Sequence, residues 1–123
     1  MSKDYDKKYF ENVSGYSQHG GYSQMQKGTI KWYKGIFSFL EKKTGICLEQ
    51  GNGGKILDVG CAYGYVISEL NGRGFETYGM DISKHAIQIA KEQNGTSQIK
   101  VGDLQNRIPF KEEFDLILCL EVI

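Results

Sequence analysis

Net charge is the first thing missing: Lys and Arg number 15, Asp and Glu number 15, and the 123-residue chain is formally neutral. Neutrality gives no overall electrostatic argument for nucleic acid or an anionic membrane as a partner, although it leaves room for a local patch. Long apolar runs are missing too. None approaches the roughly 20 residues that cross a bilayer, and the N-terminus is polar, so no anchor or signal peptide is read and a cytoplasmic location is expected. Cysteine is scarce: Cys47, Cys61 and Cys119 are odd in number and lack metal-type spacing, so reduced structural thiols are expected. Neither an internal repeat nor a low-complexity tract occurs. What is present, 40% hydrophobic and 12% aromatic residues, fits one globular domain and argues against disorder. The length allows a modest core but is short for a complete two-faced α/β enzyme.

The organising stretch is Lys55-Ile56-Leu57-Asp58-Val59-Gly60-Cys61-Ala62-Tyr63-Gly64. Ile56, Leu57 and Val59 read as a strand buried on both faces. Gly60 to Gly64 then offers small residues where a backbone can turn sharply and approach a ligand. Tyr65-Val66-Ile67-Ser68-Glu69-Leu70 reads as a helix, which places the turn's amides at a helix N-terminus. Strand, turn and helix in that order make a nucleotide-cofactor site at the carboxyl end of a parallel strand.

Residues 1–24 form an aromatic-rich leader, with Tyr5, Tyr9, Phe10, Tyr16 and Tyr22 spread among polar residues and a hint of one helical turn over residues 7–12. So many aromatics are unfavourable in water, so the leader is expected to dock on the body at residues 25–123. Residues 25–43 carry Ile30, Tyr33, Phe37 and Leu40 at helical spacing, with Trp32 at the edge of that face. The Gly-rich linker before Lys55 is not a phosphate loop, because no Ser or Thr follows Lys55 and the glycines precede the strand. After the first helix, residues 75–80 read as a second strand ending at Asp81, and Ser83 as the N-cap of a helix buried through Ala86, Ile87, Ile89 and Ala90. His85, in that helix's first turn, reads as exposed or cap-satisfying. Residues 98–101 and 114–120 supply third and fourth strands, and strands alternating with helices imply a parallel sheet with right-handed crossovers.

A dinucleotide fingerprint needs small residues at its first, third and sixth positions; here these are Gly60, Ala62 and Tyr65, and a tyrosine cannot give the close helix–strand packing of the sixth. Single acids instead follow the second and third strands. Asp81 has two acceptor oxygens that could take both ribose hydroxyls, and Asp103 could accept the amine of adenine. A lone Asp at a strand end also serves as a helix cap or turn former, but three elements at three successive strand ends argue against coincidence.

As a set, Asp58-Val59-Gly60-Cys61-Ala62-Tyr63-Gly64, Asp81, Gly102-Asp103-Leu104 and residues 108–123 resemble the class I S-adenosylmethionine-dependent methyltransferases. Ala62 stands where that family usually has glycine. The resemblance implies a Rossmann-like parallel sheet of about four strands in the order 3-2-1-4 with flanking helices, a truncated form of the family's fold, with the cofactor crevice at the reversal between strands 1 and 4. It further implies S-adenosylmethionine as cofactor and S-adenosylhomocysteine as product. By the resemblance Asp58 holds the cofactor's amino group, while Gly60, Cys61, Ala62 and Gly64 lie against its methionine part. Asp81 takes the ribose, Ile82 flanks the adenine, and Asp103 and Leu104 bind its edge. Cys119 and Leu120 border the sulfonium. No metal is implied, the methyl acceptor is unidentified, and no residue is assigned a catalytic role. The alternative is a module that binds S-adenosylmethionine or S-adenosylhomocysteine without transferring anything; an NAD or nucleotide-sugar enzyme is disfavoured by Tyr65.

The fourth strand, apolar on both faces, would form a sheet edge, and such an edge invites pairing. A homodimer covering this strand, or swapping the C-terminal segment, is therefore expected. Light scattering at micromolar concentration should report a dimer; a well-behaved monomer would count heavily against it.

Overall fold

Apolar runs punctuated by turns resolve into four short strands, the first three separated by helices and the fourth reached through a loop where strict alternation predicts a helix. In the computed structural model, which describes residues 6–12, 21–94 and 98–120, these are β1 (Lys55–Val59), β2 (Glu76–Asp81), β3 (Ile99–Val101) and β4 (Leu116–Cys119). All pairings are parallel, and the order is β3-β2-β1-β4. The register sets Val59 beside Met80 and Cys119, and Asp81 beside Val101, so every strand delivers its carboxyl end to one rim of the sheet. The helices are α1 (Lys7–Asn12), α2 (Gln26–Thr44), α3 (Tyr65–Gly72) and α4 (Lys84–Asn94), with a short 3-10 turn at Tyr22–Met25 before α2. No helix among the described residues is long and apolar enough to cross a membrane.

One face of the sheet is covered by helices. Phe37 from α2 and Val66 and Leu70 from α3 pack with Ile56 and Leu118, while Ile67, Ile87, Ala90 and Ile99 join α3, α4 and β3. The opposite face is covered by the loop before β4 instead of a helix. Leu57, Val59, Tyr78 and Met80 pack there against Ile108, Phe110 and Phe114, and the Tyr78, Phe110 and Phe114 rings meet edge-on at 5.1–6.1 Å. Edge-on aromatic contacts of this kind add stability beyond area burial.

The sheet edge at β4 is only half covered. Leu118 is buried, whereas Ile117 and Cys119 are exposed. β4 is also shorter than the apolar run at 114–120 predicts. Phe114 turns away into the ring cluster, and Asp115 binds the start of β1, its carboxylate accepting from Lys55 N at 2.7 Å. At the other end β1 stops at Val59, because Gly60 N bonds Met80 O, so Leu120 has no strand to face.

The leader docks through its described part. Asp6 accepts from Tyr9 N at 3.0 Å and so caps α1, and Phe10 is buried against Tyr63, Tyr65 and Ala86. Tyr9 packs against the same cluster. Tyr5, Tyr16 and the side chain of Tyr22 lie outside the described residues, as do residues 95–97 and 121–123.

Candidate functional site

The turn after β1 is held open from below. Gly60 N and Cys61 N both donate to Met80 O, at 2.8 and 3.0 Å, and Gly64 N closes the turn on Cys61 O at 2.9 Å. Three of its residues have left-handed backbone: Gly60 (φ 75), Ala62 (φ 49) and Gly64 (φ 82). Gly64 is required twice over, since a Cβ there would meet Asn94 Nδ2 at 2.8 Å. Ala62 is the exception, an L-residue in a conformation that costs it about 1 kcal/mol. Ala62→Gly should therefore raise stability by roughly 0.5–1 kcal/mol in chemical denaturation. Equal or lower stability would show that the alanine methyl contributes more than its backbone costs.

Asp81 ties this turn to the next one. Its Oδ2 accepts from Ala62 N and its Oδ1 from Ser83 N, both at 2.9 Å. Ser83 Oγ in turn accepts from Ala86 N at 3.0 Å, the cap expected for α4. Burial raises the Asp81 carboxyl above its ordinary value, against the opposing pull of the amides of Ser83, Ala62 and Ile82. Two carboxylate oxygens carry about four lone-pair sites, so both keep acceptor capacity beyond these bonds.

Asp58 is differently placed. It is buried at 5% exposure, and among the described residues no sealed-off side-chain oxygen, its own included, is left without a partner. Burial, and secondarily the negative charge of Asp81, push its pKa up to about 8. A carboxylate this buried is costly to ionise without a positive partner beside it. The Cys61 thiol is raised well above its ordinary value, first by burial and then by Asp58 and Asp81, which leaves it unreactive.

Of the remaining sequence-derived residues, those after β2 and β3 lie at the same rim, and Leu120 does not. Ile82 and Leu104 are both exposed, at 41% and 47%, beyond the ends of β2 and β3. Gly102 N bonds Asp81 O at 2.9 Å, which anchors the loop carrying Asp103 and Leu104 to β2. Asp103 Oδ1 accepts from Gln105 N at 2.9 Å, so in this structure it shapes its own turn. Cys119 ends β4 beside Val59, but Leu120 packs against the Phe37 cluster. Both also line an apolar groove of about 220 Å³ with Leu40, Thr44 and Ile46, which none of the turn residues lines. Sequence reasoning missed one group: Glu11 and His85, which converge on the Tyr63 hydroxyl in the centre of the turn. No periodicity or motif spacing points to that contact.

A parallel sheet with its strand order reversing at β1 and β4, a glycine turn and acids at consecutive strand ends define an α/β protein that binds a nucleotide cofactor. Residues 57–123 match the methyltransferase domain family, and the chain belongs to it, as a member of the class I S-adenosylmethionine-dependent methyltransferases. Among curated relatives, a ubiquinone biosynthesis O-methyltransferase of Alkalilimnicola ehrlichii is 33% identical over 82 residues, covering 63% of this chain and 33% of the relative. Its counterpart in Rickettsia typhi is 35% identical over 72 residues, 56% of this chain and 29% of the relative. A TehB-like S-adenosylmethionine-dependent methyltransferase from Corynebacterium glutamicum matches in structure with a TM-score of 0.52 at 25% identity, over 76% of this chain and 55% of that one. Magnesium protoporphyrin IX methyltransferase from Synechocystis, solved with bound S-adenosylhomocysteine, shares the fold with a TM-score of 0.59 at 20% identity, over 93% of this chain and 50% of that one. The chain thus spans about a third of the length of these curated relatives.

Proposed function

We propose that this chain is the cofactor-binding core of a methyltransferase acting on an oxygen nucleophile. Asp58 carries the reading: a nearly buried carboxylate near the end of β1, just before the glycine turn, suits the cofactor's ammonium. Gly60, Cys61, Ala62 and Gly64 would bring backbone close to the methionine part, Asp81 would accept from both ribose hydroxyls, and Asp103 and the Leu104 amide would meet the adenine edge. Ile82 and Leu104, apolar and exposed at the rim, would cover the adenine faces and exclude water from it. Cys119 would border the reacting end, and Leu120 would support it from the core. When bound, the cofactor supplies a methyl group on a sulfonium, already activated for in-line transfer. The protein's share is to orient the cofactor and desolvate it. The choice of oxygen as acceptor atom rests on the relatives named as O-methyltransferases.

Calorimetry with S-adenosylmethionine and S-adenosylhomocysteine tests the reading. The wild type should bind both. Asp81→Ala should weaken binding by about 100-fold, because charge-assisted bonds to two hydroxyls are lost together. Failure of the wild type to bind either ligand would remove the proposal. Methyl transfer to a panel of phenolic and other hydroxyl acceptors, lost in Asp81→Ala, would support an enzyme, and binding without any turnover would support a holding module.

A further inference from the structure

The Tyr63 hydroxyl is the meeting point of three elements. Tyr63 is fully buried in the middle of the turn, between Ala62 and Gly64. Its hydroxyl donates to Glu11 Oε1 of α1 at 3.1 Å and lies 3.0 Å from His85 Nε2 in the first turn of α4. A phenol has one proton. With that proton given to Glu11, the second bond runs the other way, from His85 Nε2–H to the tyrosine oxygen. Glu11 extends the network, since its Oε2 accepts from Ser23 N in the 3-10 turn at 3.3 Å. Phe10 seals the node: it is buried, with its ring 5.0 Å from that of Tyr63 and 6.2 Å from that of His85.

We propose that Glu11 and His85 are positioning residues which, through Tyr63, make docking of the leader helix and binding of the cofactor one cooperative event. The proposal rests on the reading of Gly60–Gly64 as the cofactor turn. Each partner comes from a different part of the chain, so the node cannot be closed unless leader, turn and α4 are all in place. The turn is the element with most to gain from that closure. Ala62 and Gly64, on either side of Tyr63, hold left-handed backbone, and Ala62 N is the donor that binds Asp81. His85 lies two residues beyond Ser83, whose amide binds the other oxygen of Asp81. The node and the Asp81 bridge therefore clamp the same pair of turns from two sides. Burial and the adjacent Glu11 charge raise the Tyr63 pKa, so its hydroxyl remains a donor throughout the physiological range. A ligand that orders the turn then tightens the leader, and a docked leader prepares the turn for the ligand; such coupling is reciprocal by thermodynamic necessity.

The test is limited trypsin cleavage at Lys7 and Lys8, with and without S-adenosylhomocysteine, together with calorimetric affinity for the same ligand. In the wild type the ligand should slow cleavage at these two lysines by about fivefold or more. In Glu11→Ala that slowing should vanish, and affinity should fall about tenfold, the equivalent of one charge-assisted hydrogen bond. Glu11→Gln keeps an oxygen that accepts the Tyr63 proton, and should recover most of both effects. His85→Ala should behave as Glu11→Ala does, and Tyr63→Phe gives the same readout with the ring packing retained. Wild-type affinity in Glu11→Ala and Tyr63→Phe, or ligand-independent cleavage in the wild type that does bind, would overturn the coupling alone. Absence of binding by the wild type would overturn the functional reading and the coupling with it.

Discussion

Asp58→Asn should make the ligand-free chain more stable, by an amount that grows with pH, while weakening its hold on the cofactor. The sign follows from the direction of the shift. Asp58 ionises at about 8 in the folded chain against an ordinary value of 3.8, so between those limits the folded state keeps a proton that the unfolded state has lost. Stability associated with this group is complete below the unfolded pKa and drains away as pH rises through the folded one. Asparagine has no proton to lose, so the two proteins diverge across that window, by on the order of 2–5 kcal/mol once pH passes 8. Ligand binding should run in the opposite sense. An ammonium favours the carboxylate over the acid, so wild-type affinity should climb by up to tenfold per pH unit well below pH 8 and level off as pH passes 8, whereas the variant should be flat. Thermal melts and calorimetry between pH 6 and pH 9 check both halves. Parallel melting profiles for the two proteins would mean that Asp58 is already ionised in the empty site.

Gly79→Val should cost about 3 kcal/mol or more in urea denaturation, since overpacking at a site with no slack forces backbone movement. Gly79 lies in β2 where α3 crosses the sheet. A Cβ at this position would run into Ile67 Cδ1 and approach Cys61 Sγ to 3.1 Å. Ile67 and Cys61 are both buried, so neither can swing clear into solvent. Gly79→Ala should be milder, and pairing it with Ile67→Val should recover part of the loss, a coupling that a double-mutant cycle measures directly. A Gly79→Val chain within about 1 kcal/mol of wild type would show that α3 can shift off the sheet, which overpacking of this kind rarely permits.

That glycine also explains why Tyr65 is tolerated. The dinucleotide fingerprint places its packing glycine on the helix, at the position Tyr65 occupies here. In this chain the close approach of helix to strand is made from the strand side, at Gly79, and Tyr65 is buried against Phe10 and Tyr63 beneath the leader. Its hydroxyl is pushed up to about 12, first by burial and then by Glu11. The ring that Tyr65 packs on, Phe10, lies more than fifty residues upstream, where no local pattern announces it.

The parts legible in sequence share one property: their signal is local. Alternation of apolar runs and glycine turns is enough to order β1, α3, β2 and α4, and Ser83 announces its own cap. Strand order 3-2-1-4 is what the family resemblance implies, and the sheet has it. What stayed hidden depends on contacts distant in sequence. The truncation of β4 comes from Asp115 capping Lys55, and the covering of the second sheet face comes from Phe110 and Phe114 meeting Tyr78. His85 reads as a surface residue because the partners that recruit it, Tyr63 and Glu11, have no periodic relation to it.

The burial of Phe10 has a consequence for how the chain is made. Its landing surface is built from Tyr63, Tyr65 and Ala86, all synthesised long after it. At roughly 5–20 residues per second, the ribosome adds the intervening stretch in about 4–15 seconds. Throughout that interval α1 has nothing to close upon, and its aromatic side chains face water or whatever binds nascent chains. A helix translated before the surface it packs on thus waits for that surface, and the seam it closes runs across the turn that the rest of the sheet was built to hold.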